Sequence, residues 1–305
     1  MWRVILLVAA VGVVSGCELR EVTAAEAQDV VIAEVILRAG AGVQTAYLHR
    51  TATGDGTARV FDARVEVRDA ASGETFQYLA DADSLCLTPA PPPGQGSTGT
   101  CYVARGSDAM VRPGTRYQLR IELKEGGVMT GTTTVPGDFT VLTPATSSCL
   151  LEPMTTLELA WTQSDGASLY IIGARMRGLR SALTAAGTPV PPGDDPELVG
   201  LSVTAADTTL LFPSELGLFS RFDDDLHPIL LAIRDGLPAQ VLAELGVAAV
   251  DNNYVNWVRG GTFNPSGMVR ISSVDGDGHG VFGSQNVRLR RIQTPGPPSN
   301  DPPCR

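Results

Sequence analysis

The stretch Arg116-Tyr117-Gln118-Leu119-Arg120-Ile121-Glu122-Leu123-Lys124 alternates without a break. Tyr117, Leu119, Ile121 and Leu123 fall on one face, and polar or charged side chains on the other. Period two is the mark of a half-buried β-strand. The pattern recurs outward. Glu125-Gly126-Gly127 turns the chain into Val128–Val135, which is Thr-rich and strand-prone. Upstream, Arg64–Arg68 alternates, Asp69–Gly73 reads as a turn and Thr75–Leu79 returns. Val30–Leu37 reads as a buried strand with Val43–His49 as its partner. Downstream, further strands are expected at Leu157–Trp161, Leu169–Met176, Leu201–Thr204, Thr208–Phe212, Val255–Val258, Met268–Val274 and Asn286–Ile292.

Composition agrees with a turn-rich β protein. The 305 residues are 43% hydrophobic, enough for a packed core, and their length suggests about two domains. The 33 glycines and 21 prolines make up about 18% of the chain, against roughly 12% in average proteins. The net charge of −10 argues against nucleic acid as a partner, because a basic surface is needed to displace phosphate counterions. Lys124 is the only lysine, and the arginines are spread along strands.

One helical insert is expected at about 223–247. Leu226, Ile229, Leu230 and Ile233 fall on one helical face after the acidic run Asp223–Asp225. Gly236 ends that helix. Pro238 is expected to start a second one, with Val241, Leu242 and Leu245 inward.

The N-terminus carries an address. Arg3 precedes the apolar run Val4–Val14, too short to span a bilayer but suited to a signal peptide. Val14-Ser15-Gly16-Cys17 looks like a bacterial lipobox, which implies cleavage before Cys17 and its lipidation. Glu18 follows where inner-membrane retention uses Asp, so the outer membrane is expected. Its periplasmic and cell-surface faces both stay open. The acidic stretch 17–28 reads as a tether.

With Cys17 lipidated, Cys86, Cys101, Cys149 and Cys304 remain, and four cysteines allow three connectivities. Cys86–Cys101 is favoured because it would staple the Pro/Gly-rich insert Thr88–Thr100. Cys149–Cys304 would then tie the Pro-rich tail 294–305 to the start of the second unit. No C-x-x-C occurs, which removes zinc-ribbon and thioredoxin-like readings.

Two resemblances follow. Trp161, Ala167 and Tyr170 resemble the B and C strands of a fibronectin type III domain, where such aromatics pack between sheets. Over residues 17 to about 293 the chain resembles the outer-membrane lipoprotein family known as domain of unknown function 4249. The resemblance rests on the lipobox, Val30–Leu37, Val65-Glu66-Val67-Arg68-Asp69 with Gly73, Pro113–Leu119, Thr134-Val135-Pro136 and Gly278–Ser284. It implies a transthyretin-like N-terminal half and a place beside a TonB-dependent transporter. The helical insert and the cysteine pairs lie outside its pattern.

The expected fold class is therefore all-β: two tandem Ig-like or fibronectin III-like β-sandwiches, at 29–143 and 149–293, with a small helical insert in the second. Chemistry is sparse. No G-x-S-x-G, H-E-x-x-H or Walker A segment is present. His49, His227 and His279 are the only bases for a hydrolytic site. Asp275 and Asp277 resemble the start of a calcium loop, but an EF-hand would meet His279 at position five and Asn286 at position twelve. A hairpin turn is the plainer reading, as a helix cap is for Asp223–Asp225 near Glu215. Tyr254 and Trp257, with Phe263, would suit a glycan-stacking platform or simply core. No cofactor or metal is expected. The expected role is a non-enzymatic accessory protein, with a glycan- or peptide-binding module as the alternative.

Overall fold

A computed structural model describes residues 29–51, 59–87, 99–218, 227–259, 271–296 and 300–305. The expected signal peptide, Cys17, the expected tether, Asp223–Asp225 and Phe263 lie outside them. Among the described residues the chain is mostly β-strand with short helices.

Two large hydrophobic cores form, with a smaller cluster of Leu169, Ala248, Val250 and Val255 beside them. The first lies between two groups of strands. On one side are β1 (Val31–Ala39), β2 (Val43–Arg50) and β5 (Gly99–Arg105), hydrogen-bonded in that order. On the other are β3 (Arg64–Asp69), β6 (Arg116–Glu122) and β7 (Val128–Thr134). β4 (Thr75–Asp81) belongs to both. Its Thr75–Tyr78 half pairs with β3 and its Leu79–Asp81 half with β5. Val35, Leu37, Leu48, Val65, Val67, Tyr102, Tyr117, Leu119 and Ile121 meet in this core. Tyr117, Leu119 and Ile121 are the inward residues that the alternation selects.

The second core lies between a three-stranded sheet and a larger one. The smaller sheet is β8 (Val141–Thr143), β10 (Leu157–Trp161) and β13 (Thr209–Phe212). The larger runs β14 (Gly217–Leu218), β12 (Glu197–Leu201), β11 (Leu169–Arg177), β15 (Leu242–Val250) and β17 (Gly278–Gln293). The Tyr170 ring lies 5.2 Å from that of Trp161 and 5.8 Å from that of Phe139. The Tyr170 hydroxyl accepts the Ser164 N–H at 2.7 Å, so its polar end is satisfied inside. Helices α1 (Leu179–Ala185) and α2 (His227–Ile233) close the core with Leu179, Leu183, Ile229 and Ile233.

β17 joins the two cores. It is 16 residues long. Its first part, Gly278–Asn286, pairs in parallel with β1. Its last part, Gln285–Gln293, pairs antiparallel with β15 and, at Arg291–Gln293, in parallel with β9 (Ser148–Leu150). Phe282 is fully buried in the first core and Ile292 in the second. β16 (Val274–Gly276) also belongs with the first core, pairing with β7. The segment 274–284 thus packs with the N-terminal strands, although the sequence reading puts it in the C-terminal unit.

Other expectations need correction. The second helix of the insert is not formed: Leu242 and Leu245 lie in β15. Leu-Ala-Glu-Leu favours a helix locally, but pairing with β11 and β17 on both edges outweighs that preference. The strand expected at Val255–Val258 is helix α3 (Asn252–Arg259). The strand expected at Leu201–Thr204 lies earlier, at β12. The chain pairs Cys86 with Cys101 and Cys149 with Cys304. The second bridge spans 155 residues and ties the C-terminal tail to β9.

The β3–β4 turn is fixed by Asp69. Its Oδ1 accepts the N–H groups of Ala71 (2.8 Å) and Ser72 (3.0 Å), and Arg112 pairs with Oδ2. The Ser72 N–H leads these contacts in holding the carboxyl down to about 2, against its burial.

Gly280, in β17, sits against the backbone of Ala33 in β1. It has φ +145°, and a Cβ there would lie 1.9 Å from the Ala33 carbonyl oxygen. Gly280→Val is expected to cost about 3 kcal/mol or more. In urea, tryptophan fluorescence should show one transition moved to lower denaturant. Trp161 reports from the second core, so an unmoved Trp161 signal would show that the cores are independent.

Candidate functional site

A buried polar junction sits where β7, β17 and α3 meet. Asp251 is 6% exposed. Its Oδ1 accepts the N–H groups of Tyr254 and Ser284, each at 3.0 Å, and its Oδ2 accepts the Thr133 hydroxyl at 2.7 Å. The Tyr254 contact is an N-cap for α3. Thr133 Oγ1 and Ser284 Oγ are 2.8 Å apart, and Ser284 Oγ donates to the Thr134 carbonyl. Burial pushes the Asp251 carboxyl up, and these hydrogen bonds oppose it. No histidine is among these contacts, and every oxygen is engaged, so the cluster is built as a structural tie.

The same strand clamps the connection between the cores. Asn286 Nδ2 donates to the Gly137 carbonyl at 2.8 Å. Arg288 donates to the Phe139 carbonyl, pairs with Asp138 and lies over the Phe139 ring. Arg290 reaches the carbonyls of Val141 and Pro144. Burial, and then the neighbouring Arg288, lower the Arg290 pKa.

The sequence candidates disperse. His49 is on β2, His227 opens α2 and His279 is on β17. His49 and His279 both pair with Ile32, one from each side. Two strand spacings, about 9–10 Å, separate their backbones, with Ile32 between them. His49 Nε2 lies 3.6 Å from Glu34. Asp277 accepts the Val128 N–H at 2.8 Å, and Asp275, in β16, pairs by backbone with Thr130 of β7, so both are tied to β7. Among the described residues no three His, Cys, Asp or Glu side chains gather as a metal site. Glu215 caps its own turn by accepting the Leu211 N–H. Tyr254 and Trp257 lie on α3 rather than on a strand, and Tyr254 packs against Leu169, Val250 and Val255.

Two troughs line the outer faces of the sheets. One, of about 710 Å³, lies over β3, β6, β7 and β16 and is polar, with Arg68, Gln118, Thr130, Thr132, Asn253 and Asp275 along it. The other, of about 800 Å³, lies over β12, β11, β15 and β17. Its cross-strand rows follow from the pairing. Leu201, Ile171, Ala248 and Val287 form one row; Val199, Gly173, Gly246 and Leu289 the next; Glu197, Arg175, Glu244 and Arg291 the third. The first two rows are apolar, and Leu289 is 72% exposed. The third alternates in sign, with Arg175–Glu197 at 2.6 Å and Arg291–Glu244 at 3.6 Å. The sequence pattern does not reveal this face, because it puts the β12 strand at Leu201–Thr204 and a helix over Val241–Leu245. Nor does it reveal the junction, because Asp251 precedes a stretch whose pattern reads as a strand, not as a helix to be capped.

No family model matches the chain, and no curated protein matches it. Fibronectin(III)-like modules of Clostridium thermocellum CbhA are 11% identical, covering 86% of this chain and 91% of theirs at a TM-score of 0.20. DIP-gamma IG1+IG2 is 8% identical, covering 86% and 96% at a TM-score of 0.19. Likenesses at these scores carry no argument, so the β architecture rests on the strand pairing itself.

Asp251 gives the junction a pH signature. A carboxyl raised on folding binds its proton more tightly in the native state. Its contribution is full below the ordinary carboxylate range and is lost as pH rises through the raised pKa. Relative to wild type, Asp251→Asn should therefore be more stable at pH 7 than at pH 4. Urea unfolding of both proteins at the two pH values checks this; a difference of the opposite sign would refute it.

Proposed function

We propose that the chain is a lipid-anchored, extracytoplasmic binding protein without catalytic activity. In this reading Cys17 carries the lipid and the outer membrane is its site, on the periplasmic or surface face. It acts as an accessory to a membrane protein, such as a TonB-dependent transporter, within the lipoprotein family that its sequence resembles. The two cores, each between facing groups of strands, support a transthyretin-like sandwich followed by a fibronectin III-like one. In that arrangement α2 is the helical insert of the second.

The observation that carries the reading is the apolar trough over β12, β11, β15 and β17. A sheet face turned to water is ordinarily polar, as it is over β3, β6 and β7 of this same chain. An exposed apolar patch rimmed by charge marks an interaction surface. The disulfides add support for an oxidising compartment, where such bonds persist. The polar trough favours a second reading, a glycan-binding module, because its amides, hydroxyls and carboxylate suit a polyhydroxylated ligand.

The test is affinity isolation of the tagged, lipidated protein from its native envelope in mild detergent, with mass spectrometry. One membrane protein in near-equal amount is expected. Recovery of the chain alone would overturn the accessory role, and titration with defined oligosaccharides would then decide the second reading.

A further inference from the structure

The apolar trough contains two glycines that its fold does not demand. Gly173 and Gly246 pair across the two central strands, β11 and β15. Neither has positive φ. A Cβ on Gly173 would meet nothing within 4 Å, and one on Gly246 would make only ordinary side-chain contacts at 3.5–3.6 Å. Contrast Gly131, where a Cβ would press on the Ser273 carbonyl at 2.9 Å, or Gly280, where no Cβ fits. Glycine inside a strand weakens it, and where neither turn nor crowding explains it, close approach of another group does.

The neighbours of that pair define the approaching body. Val199 and Leu289 stand one strand away on either side, about 14 Å apart across three strand spacings. Measured along the row, that span takes about nine residues of a helix lying across the strands, at 1.5 Å per residue. At one end α3 already packs on this face, through Val255 and Tyr254 against Leu169, Ala248, Val250 and Val287. The open rows continue that helix-covered cluster without a break. At the other end the alternating row Glu197, Arg175, Glu244 and Arg291 offers both signs of charge.

We infer that this trough receives an amphipathic helix of a partner protein, laid beside α3 with its apolar stripe on the Gly173–Gly246 floor and its charged flank on the third row. The inference rests on the accessory reading above and names its docking surface. Area argues against a second copy of this chain. The open patch, four strands or about 19 Å wide and two rows or about 13 Å long by strand geometry, is near 250 Å², about a third of the roughly 800 Å² that each partner gives to a standard interface. A helix needs no more than such a strip.

The test places a photo-crosslinking amino acid at Leu289, with Thr130 on the polar face as control, in the full lipidated chain in its native envelope. The same isolation is repeated with Gly173→Phe, which fills the floor where nothing is displaced. Expected are an adduct from position 289 alone, mapping to an amphipathic helix of the co-isolated membrane protein, and at least a tenfold loss of it in Gly173→Phe. The thermal midpoint of that variant should stay within about 2 °C of wild type. An adduct to a second copy, to lipid alone, or equally from position 130 would overturn the inference. So would co-isolation undiminished by Gly173→Phe, which would leave the accessory reading standing. Absence of any co-isolated protein with wild type would bring down that reading, and the inference with it.

Discussion

The structure depends on one shared strand. β17 closes the edge of the first sheet beside β1 and then supplies the second sheet with its place beside β15. Backbone groups in a strand must find partners once water is excluded, and here they find them in two different cores. At the changeover, Asn286 pairs at once with Ala39 of β1 and Ala249 of β15 and is fully buried. A flexible linker would let two domains swing. A continuous ladder through both cores does not.

The side chains of that strand extend the constraint. Ser284 enters the Asp251 junction, Asn286 holds Gly137, and Arg288 and Arg290 hold the carbonyls that follow. These are hydrogen bonds to groups that would otherwise be buried without partners, where each loss costs about 1–3 kcal/mol. The 137–144 connection, which leads into the 143–148 segment where the sequence reading puts the boundary, is thereby fastened along its length. The troughs on the outer faces keep a fixed relation to each other as a result.

Legibility followed the physics of each element. Where one face meets core and the other water, as in Arg116–Lys124, alternation gave the inward residues. Trp161 and Tyr170 also meet in the second core, as the resemblance to fibronectin type III strands implies. The cysteine pairs were legible because one short loop needed a staple. β15 is not: its outer face, with Leu242, Gly246 and Ala248, is largely apolar like its inner one, so the sequence shows little alternation and its alanines and leucines imitate a helix. β5, buried through nearly all its length, was hidden behind the Pro/Gly-rich insert for the same reason. The apolar trough is built from four strands distant in sequence, so no window of sequence contains it.

The pairing of the first described strand with the last sets a schedule for folding. β1 begins at residue 31, while its neighbour β17 begins at residue 278. Until nearly the whole chain has emerged, the N-terminal sheet has an open edge at β1 and lacks Phe282 in its core. Contacts so far apart in sequence form slowly, because a long loop must close before they return any energy. An open edge held that long is also a template for the wrong partner. A chain built this way gains from being kept unfolded until its synthesis is complete, which is the condition that passage through a narrow translocation channel also imposes.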